Sequence, residues 1–254
     1  MKAIVFAAGI GSRLKPFTLS HPKALAPVGG RPVLEFVVER LKKAGVTELV
    51  INVHHFAGQI TDFVKARNNF GITVHISDES AKLLETGGGI LKARRWLEGT
   101  EPFIVHNADI VSNVNIADMY HQHVASHADV TLLATPRTTS RYLFFDNADN
   151  RLKGWCNTRT GQTLPQGFVA DGTRYRQLAF DGVHVISPAV LNCLAGAMPA
   201  DTPFSITPFY VDNAQALNIQ AYTPRSKDFL WCDIGTPENL ELANKIISEH
   251  GTDF

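Results

Sequence analysis

Short runs of aliphatic and β-branched residues alternate with amphipathic helical patterns from residue 2 to about residue 135. That alternation predicts a parallel sheet covered by helices. The runs span Ala3 to Ala7, Glu48 to Val53, Ile72 to Ile76, Phe103 to His106 and Val130 to Ala134. After Pro32 the period changes. Leu34, Val37, Val38 and Leu41 stand at i, i+3, i+4 and i+7, with Glu35, Glu39, Lys42 and Lys43 on the other face. This predicts a helix with Pro32 in its first turn and Gly45 at its C-terminal cap. From Arg141 to Tyr222 the runs shorten and turn signals appear, Asp146-Asn147-Ala148-Asp149-Asn150 and Thr160-Gly161 among them, so hairpins added to one end of the sheet are expected. The chain closes on a strand over Phe229 to Asp233 and a helix capped by Thr236, with Pro237 at its first position and an apolar stripe of Leu240, Ala243 and Ile247.

The expected class is therefore α/β: one three-layer, Rossmann-like domain over residues 1–254, with a mostly parallel central sheet, helices on both faces and a small added β-hairpin region. At 254 residues, 44% of them hydrophobic, the chain can bury one sizeable core. Lys plus Arg and Asp plus Glu both number 24, and no block of like charge stands at either end. That balance argues against a general polyanion binder, so no nucleic-acid partner is expected. The N-terminal apolar run leads into a glycine-rich loop where a signal peptide would carry a small-residue cleavage site. No stretch approaches the roughly 18 apolar residues of a membrane span. Cys156, Cys193 and Cys232 are odd in number and lack CxxC spacing, which fits reduced thiols. The expectation is a cytoplasmic protein without a membrane partner, a monomer or small homo-oligomer.

Candidate chemistry concentrates in four segments. The first is Ala7-Ala8-Gly9-Ile10-Gly11-Ser12-Arg13-Leu14-Lys15-Pro16-Phe17-Thr18, followed at once by His21-Pro22-Lys23-Ala24-Leu25-Ala26-Pro27. Glycines after a first strand let backbone N–H groups approach phosphates, and Arg13 and Lys23 can neutralise a triphosphate. Ala7, Ala8, Gly9, Gly11, Ser12, Arg13 and Lys23 are thus candidate nucleotide contacts. The dinucleotide fingerprint fails here. Its third glycine position is Leu14, prolines follow where a helix is needed, and His54 and His55 end the second strand in place of an acidic residue. A nicotinamide-dependent dehydrogenase is disfavoured on those grounds.

The second segment, Glu85-Thr86-Gly87-Gly88-Gly89-Ile90, precedes a helical pattern over Leu91 to Leu97. Three consecutive glycines carry a large conformational-entropy cost, and close backbone approach to a flat ligand explains them better than a plain turn. The third, Phe103 to Asp109, is an apolar strand ending in an amide and a carboxylate. Ligands sit at the C-terminal ends of parallel strands, so Asn107 and Asp109 stand where a cation and phosphates would meet. Magnesium prefers one or two carboxylates plus substrate phosphates. The fourth, Leu230 to Pro237, repeats the arrangement with Asp233. An isolated Asp before a helix is usually a cap; its pairing with Asp109 favours a second metal ligand.

Taken whole, the first segment resembles the signature of the sugar-1-phosphate nucleotidyltransferase family, approximately GxGxRLxPxTxxxPKxLxPxxxxP. Gly9, Gly11, Arg13, Leu14, Pro16, Thr18, Pro22, Lys23, Leu25, Pro27 and Pro32 all fall on it. The resemblance implies a nucleotidyltransferase fold in which residues 1–135 bind the nucleotide, 136–235 the acceptor, and 236–254 form a C-terminal helix. It implies that Arg13 and Lys23 bind phosphate oxygens, that Glu85, Thr86, Gly87 and Gly88 hold the base, and that Asp109 and Asp233 hold Mg2+. The ETGGGI string resembles the short uridylyltransferases acting on N-acetylmuramic acid 1-phosphate, which favours uridine.

Phe180 to Pro188 resembles the family's strand beside the sugar, giving Asp181 and Gly182 as sugar-phosphate contacts. Trp155 is a further candidate, with Arg137 and Arg141, although a core Trp and surface arginines are the plainer readings. The implied reaction moves NMP from an NTP onto a sugar 1-phosphate and releases pyrophosphate, with Arg13, Lys23 and Asp109 as catalytic groups. One feature is missing: the larger members carry a mid-chain Glu-Lys-Pro whose Lys holds the sugar phosphate. Lys153, Arg159 and Arg174 are candidates to replace it. CMP transfer to phosphocholine and a non-catalytic nucleotide sensor stay open as alternatives.

Overall fold

The computed structural model describes residues 1–251, so the last three residues of the part expected over 236–254 lie outside the described residues. The first half contains β1 (Lys2–Phe6), β2 (Pro27–Val28), β3 (Arg31–Pro32), α1 (Val33–Lys43), β4 (Glu48–Val53), α2 (Ala57–Ala66) and β5 (Thr73–Asp78). It continues through α3 (Glu85–Leu97), β6 (Phe103–Asn107), β7 (Ile110–Ser112), α4 (Ile116–Ala125) and β8 (Val130–Thr135). The second half adds β9 (Arg141–Asp146), β10 (Leu152–Asn157), β11 (Gln162–Leu164), β12 (Tyr175–Ile186), α5 (Pro188–Ala197) and α6 (Ile206–Asp212). It ends with β13 (Ile219–Tyr222), β14 (Trp231–Asp233) and α7 (Pro237–His250).

The main sheet runs β11-β10-β9-β12-β6-β1-β4-β5, with β8 also beside β12 and β13 beside β8. Strands β5, β4, β1 and β6 are mutually parallel, as are β8 and β13, and only β12 reverses direction between those two groups. Alternate residues of β1 face opposite layers. Ile4 packs with Ile90, Ala93 and Leu97 of α3 and Leu191 of α5, while Ala3 and Val5 pack with Leu34 and Val37 of α1 and Ile60 of α2. This is the three-layer α/β arrangement expected. The hairpins after Arg141 are present too, as the antiparallel β9-β10-β11 ribbon.

Three parts of the chain depart from expectation. Residues 141–222 hold more than short strands: β12 is 12 residues long, and α5 and α6 follow it. The closing strand is only Trp231–Asp233, and it leaves the main sheet to pair with β7. Gly87, Gly88 and Gly89 are buried inside α3, which begins at Glu85. The terminal cap is as expected, with Thr236 accepting from the Asn239 amide at 3.3 Å.

A third, smaller core ties the ends together. Leu14, Ala26 and Val28 of the glycine-rich segment pack with Val111 of β7, Cys232 of β14, Ile234, and Ala243 and Ile247 of α7. Among the described residues, no helix is long and apolar enough to cross a membrane.

His106, His123 and His184 are all buried, and that burial pushes their imidazoles down to about 4, about 4 and about 3 respectively. The folded protein holds them neutral, while the unfolded chain protonates them near 6.5, so their contribution is complete above that pH and is lost as pH falls toward 4. Each can remove up to about 1.4 kcal/mol per pH unit in that window. Melting temperature is expected to be flat from pH 7 to 8 and to drop steadily from pH 6 to 4.5. A flat profile down to pH 4.5 would contradict the neutral, buried assignment.

Candidate active site

The glycine-rich loop is closed on itself. Gly11 takes φ +65, Thr18 Oγ1 donates to its carbonyl at 2.9 Å, and a Cβ there would lie 2.9 Å from Thr18 Cγ2 and 3.0 Å from Lys23 Cβ. Only glycine fits that left-handed position so near two neighbours. Gly9 has open space where a Cβ would stand, so its backbone is approachable, and Ser12 and Arg13 are exposed beside it. Ala7 and Ala8 are buried under the loop.

Lys23 is buried, and a buried ammonium needs anionic partners. It has two: its Nζ donates to Asp109 Oδ2 and, at 3.3 Å, to Asp233 Oδ1. Backbone pairing brings the two aspartates there. Asp233 is the register partner of Ile110, and the Ile234 amide donates to the Asp109 carbonyl at 3.0 Å. Arg13 closes the group, since a Cβ on Gly235 would lie 2.8 Å from both Arg13 Nη2 and Asp233 Oδ1. Two carboxylates converging on one cation form an all-oxygen set that fits a hard divalent ion completed by phosphates. Among the described residues, no three or more His, Cys, Asp or Glu side chains gather to hold a metal.

The aspartates open onto a cleft of about 790 Å³. Arg13, Asn107, Asp109 and Asp233 line one wall, and the β9-β10-β11 ribbon supplies another through Leu143, Trp155, Asn157 and Leu164. Gly182 takes φ +77, and a Cβ there would lie 2.8 Å from Asn107 Nδ2, so that amide rests against the glycine at the cleft. Trp155, Arg137 and Arg141 all line the cleft, Arg141 as an exposed residue and Arg137 as a half-buried one.

Two candidate contacts are already engaged by protein. Asp181 belongs to the cleft lining but is fully buried, and its carboxylate accepts from Thr135 Oγ1 at 2.6 Å and Arg137 Nε at 2.5 Å, so it anchors Arg137. Burial raises its carboxyl above the usual range against the pull of Thr135 and Arg137. The Gly87–Gly88 face that a Cβ would occupy packs against protein. The Phe204 ring fills the space of a Gly87 Cβ, Thr202 O lies 2.5 Å from that of Gly88, and the Gly87 amide donates to Phe204 O at 2.9 Å. Thr86 is engaged as well, accepting from the Ile206 amide at 2.9 Å, while Glu85 stays exposed.

Supporting residues had no motif to reveal them. Glu79 is buried, accepts from Asn52 Nδ2 and from the Leu84 amide at 2.9 Å, and so fixes the entry to α3; burial raises its carboxyl. Trp231 Nε1 donates to the Asp181 carbonyl at 3.0 Å, and the Arg137 guanidinium stacks 4.0 Å from the Trp231 ring. That stack joins the strand bearing Asp233 to β12.

Comparison with known proteins places this geometry. Residues 2–142 match the family model described as nucleotidyl transferase. Over 252 residues the chain is 31% identical to an N-acetylmuramate alpha-1-phosphate uridylyltransferase of Caulobacter vibrioides, covering 97% of each chain. It is 30% identical over 247 residues to mannose-1-phosphate guanyltransferase beta-B of Xenopus laevis, covering 94% of this chain and 62% of that one. A solved structure of UDP-glucose pyrophosphorylase with UDP-glucose superposes with a TM-score of 0.76 over 98% of both chains at 18% identity, a likeness of fold. The chain belongs to the nucleotidyl transferase family and is one of its sugar-1-phosphate nucleotidyltransferases.

Proposed function

We propose that the protein transfers a uridylyl group from UTP to a sugar 1-phosphate, with N-acetylmuramate 1-phosphate as the leading acceptor and magnesium as the cofactor. The observation that carries this reading is the convergence of Asp109 and Asp233 on the Lys23 ammonium, beside the Gly9–Arg13 loop and at the cleft. The choice of base and acceptor rests on the ETGGGI string and on the uridylyltransferase relative. The chain acts in this reading as a single domain, on small molecules in the cytoplasm, with the nucleotide on residues 1–135 and the acceptor on 136–235.

An oxygen of the acceptor's phosphate attacks the α-phosphorus of the NTP. The new P–O bond forms as the bond to the bridging oxygen breaks, and pyrophosphate leaves with the electron pair. The nucleophile is already an anion, so no general base is required, and alignment and charge neutralisation supply the catalysis. Arg13 and Lys23 offset the charge of the departing pyrophosphate. Asp109 and Asp233 hold the magnesium, which when bound neutralises phosphate charge between the two anionic reactants.

Incubation with each NTP and a panel of acceptors, phosphocholine among them, tests the reading. Pyrophosphate release is expected with UTP and a sugar 1-phosphate and is expected to cease on chelation of the metal. Release confined to CTP with phosphocholine, or tight NTP binding without turnover, overturns it.

A further inference from the structure

Thr86 makes a hydrogen bond that reaches across the fold. Its Oγ1 accepts at 2.9 Å from the amide of Ile206, a residue 120 positions later that opens α6. That helix start lacks a cap of its own. Ser205 precedes it with no side-chain hydrogen bond to the first turn, and Pro208 has no N–H to satisfy. Thr86 thus does for α6, from a distant element, what an N-cap side chain does for its own helix.

Three hydrogen bonds join the two segments in succession. Phe204 N donates to Leu84 O at 3.2 Å, Gly87 N to Phe204 O at 2.9 Å, and Ile206 N to Thr86 Oγ1. The first two run backbone to backbone and survive a change of side chain. The third exists only because residue 86 bears a hydroxyl, so it is the one that the sequence specifies. The Phe204 ring against Gly87 and the Thr202 carbonyl against Gly88 close the same seam.

What the seam holds faces the cleft. Ser205, Thr207 and Pro208, on either side of the fastened amide, line it together with Asn157, Gln162 and Leu164 of the β10-β11 hairpin, against which α6 packs. Ile206 itself is buried with Phe209, Tyr210 and Val211 in the core shared with α3. A shift of its amide therefore moves two hydroxyl-bearing neighbours at the cleft at once.

We propose that Thr86 is a positioning residue for the acceptor, setting Ser205 and Thr207 at the cleft through the Ile206 amide. The proposal rests on the transferase reading above, in which α6 and the β10-β11 hairpin belong to the acceptor part. Thr86 then acts on the acceptor, although the ETGGGI string that contains it implies a contact with the base. One motif ties the end of α3 nearest the nucleotide to the wall that meets the sugar.

The test compares wild type with T86V, T86A and T86S, using UTP and N-acetylmuramate 1-phosphate or, should the wild type prefer another, the sugar 1-phosphate it turns over fastest. In T86V the KM for the sugar 1-phosphate is expected to rise roughly fivefold, the effect of one lost hydrogen bond, while the KM for UTP stays within about twofold. T86A should match T86V, and T86S, which keeps the hydroxyl, should return toward wild type. Hydrogen exchange at residues 204–209 is expected to quicken in T86V and T86A and to recover in T86S. A rise in the KM for UTP, alone or equal to that for the acceptor, an unchanged acceptor KM, or T86S behaving as T86V overturns the proposal. Failure of the wild type to turn over any sugar 1-phosphate defeats the transferase reading instead. Exchange in T86V still decides the fastening in that case, and an unchanged rate there overturns it too.

Discussion

Asp109→Asn is expected to lower pyrophosphate release on the order of a hundredfold or more, while the melting temperature stays within a few degrees of wild type. The substitution keeps the size of the side chain and its ability to accept from Lys23, and removes the charge that a divalent ion requires. Stability should change little because the Asp109 side chain is 28% exposed and Lys23 keeps Asp233 as a partner. Steady-state release with UTP and a sugar 1-phosphate, alongside a thermal melt, separates the two quantities. A wild-type rate in this variant would dissociate Asp109 from metal binding.

Gly88→Ala addresses stability. A Cβ at this position would lie 2.5 Å from the Thr202 carbonyl oxygen and 2.9 Å from Leu84 Cβ. The first obstacle is backbone, which no rotamer change can move aside. Overpacking of this kind costs about 1–3 kcal/mol, partly offset by up to about 1 kcal/mol from the better helix propensity of alanine. A net loss of about 1–2 kcal/mol corresponds to a melting temperature lower by about 2–8 °C. The same variant arbitrates between two accounts of the glycine string. Direct contact with a base would raise the KM for UTP and leave the melt unchanged, whereas packing against residues 202–204 lowers the melt.

The parts that could be read in advance are those whose information is local. Strands β1, β4, β6 and β8 are short apolar runs bounded by breakers, and α1 shows its buried stripe at helical spacing. The loop from Gly9 to Lys23 and the two aspartates declared themselves because each follows a buried strand or opens a capped helix. The hidden parts depend on partners far along the chain. β12 serves β9 with residues 175–178 and β6 and β8 with residues 179–186, so its burial pattern changes midway and yields no single period. The burial of Asp181 and its hold on Arg137 leave no local trace in the sequence, because Arg137 and Thr135 lie more than forty residues away. Gly87 was legible as a close approach, but the approaching ring belongs to Phe204, more than a hundred residues later.

The small β7–β14 ribbon sets a condition on when the protein can work. Asp109 sits at the head of β7, but its counterpart arrives only with Asp233, held in place by α7 packing against Leu14, Val28 and Val111. The first two hundred residues supply Asp109 and the β9-β10-β11 ribbon of the cleft and no second carboxylate. The two carboxylates therefore come together only once α7 has packed on residues from the first half of the chain.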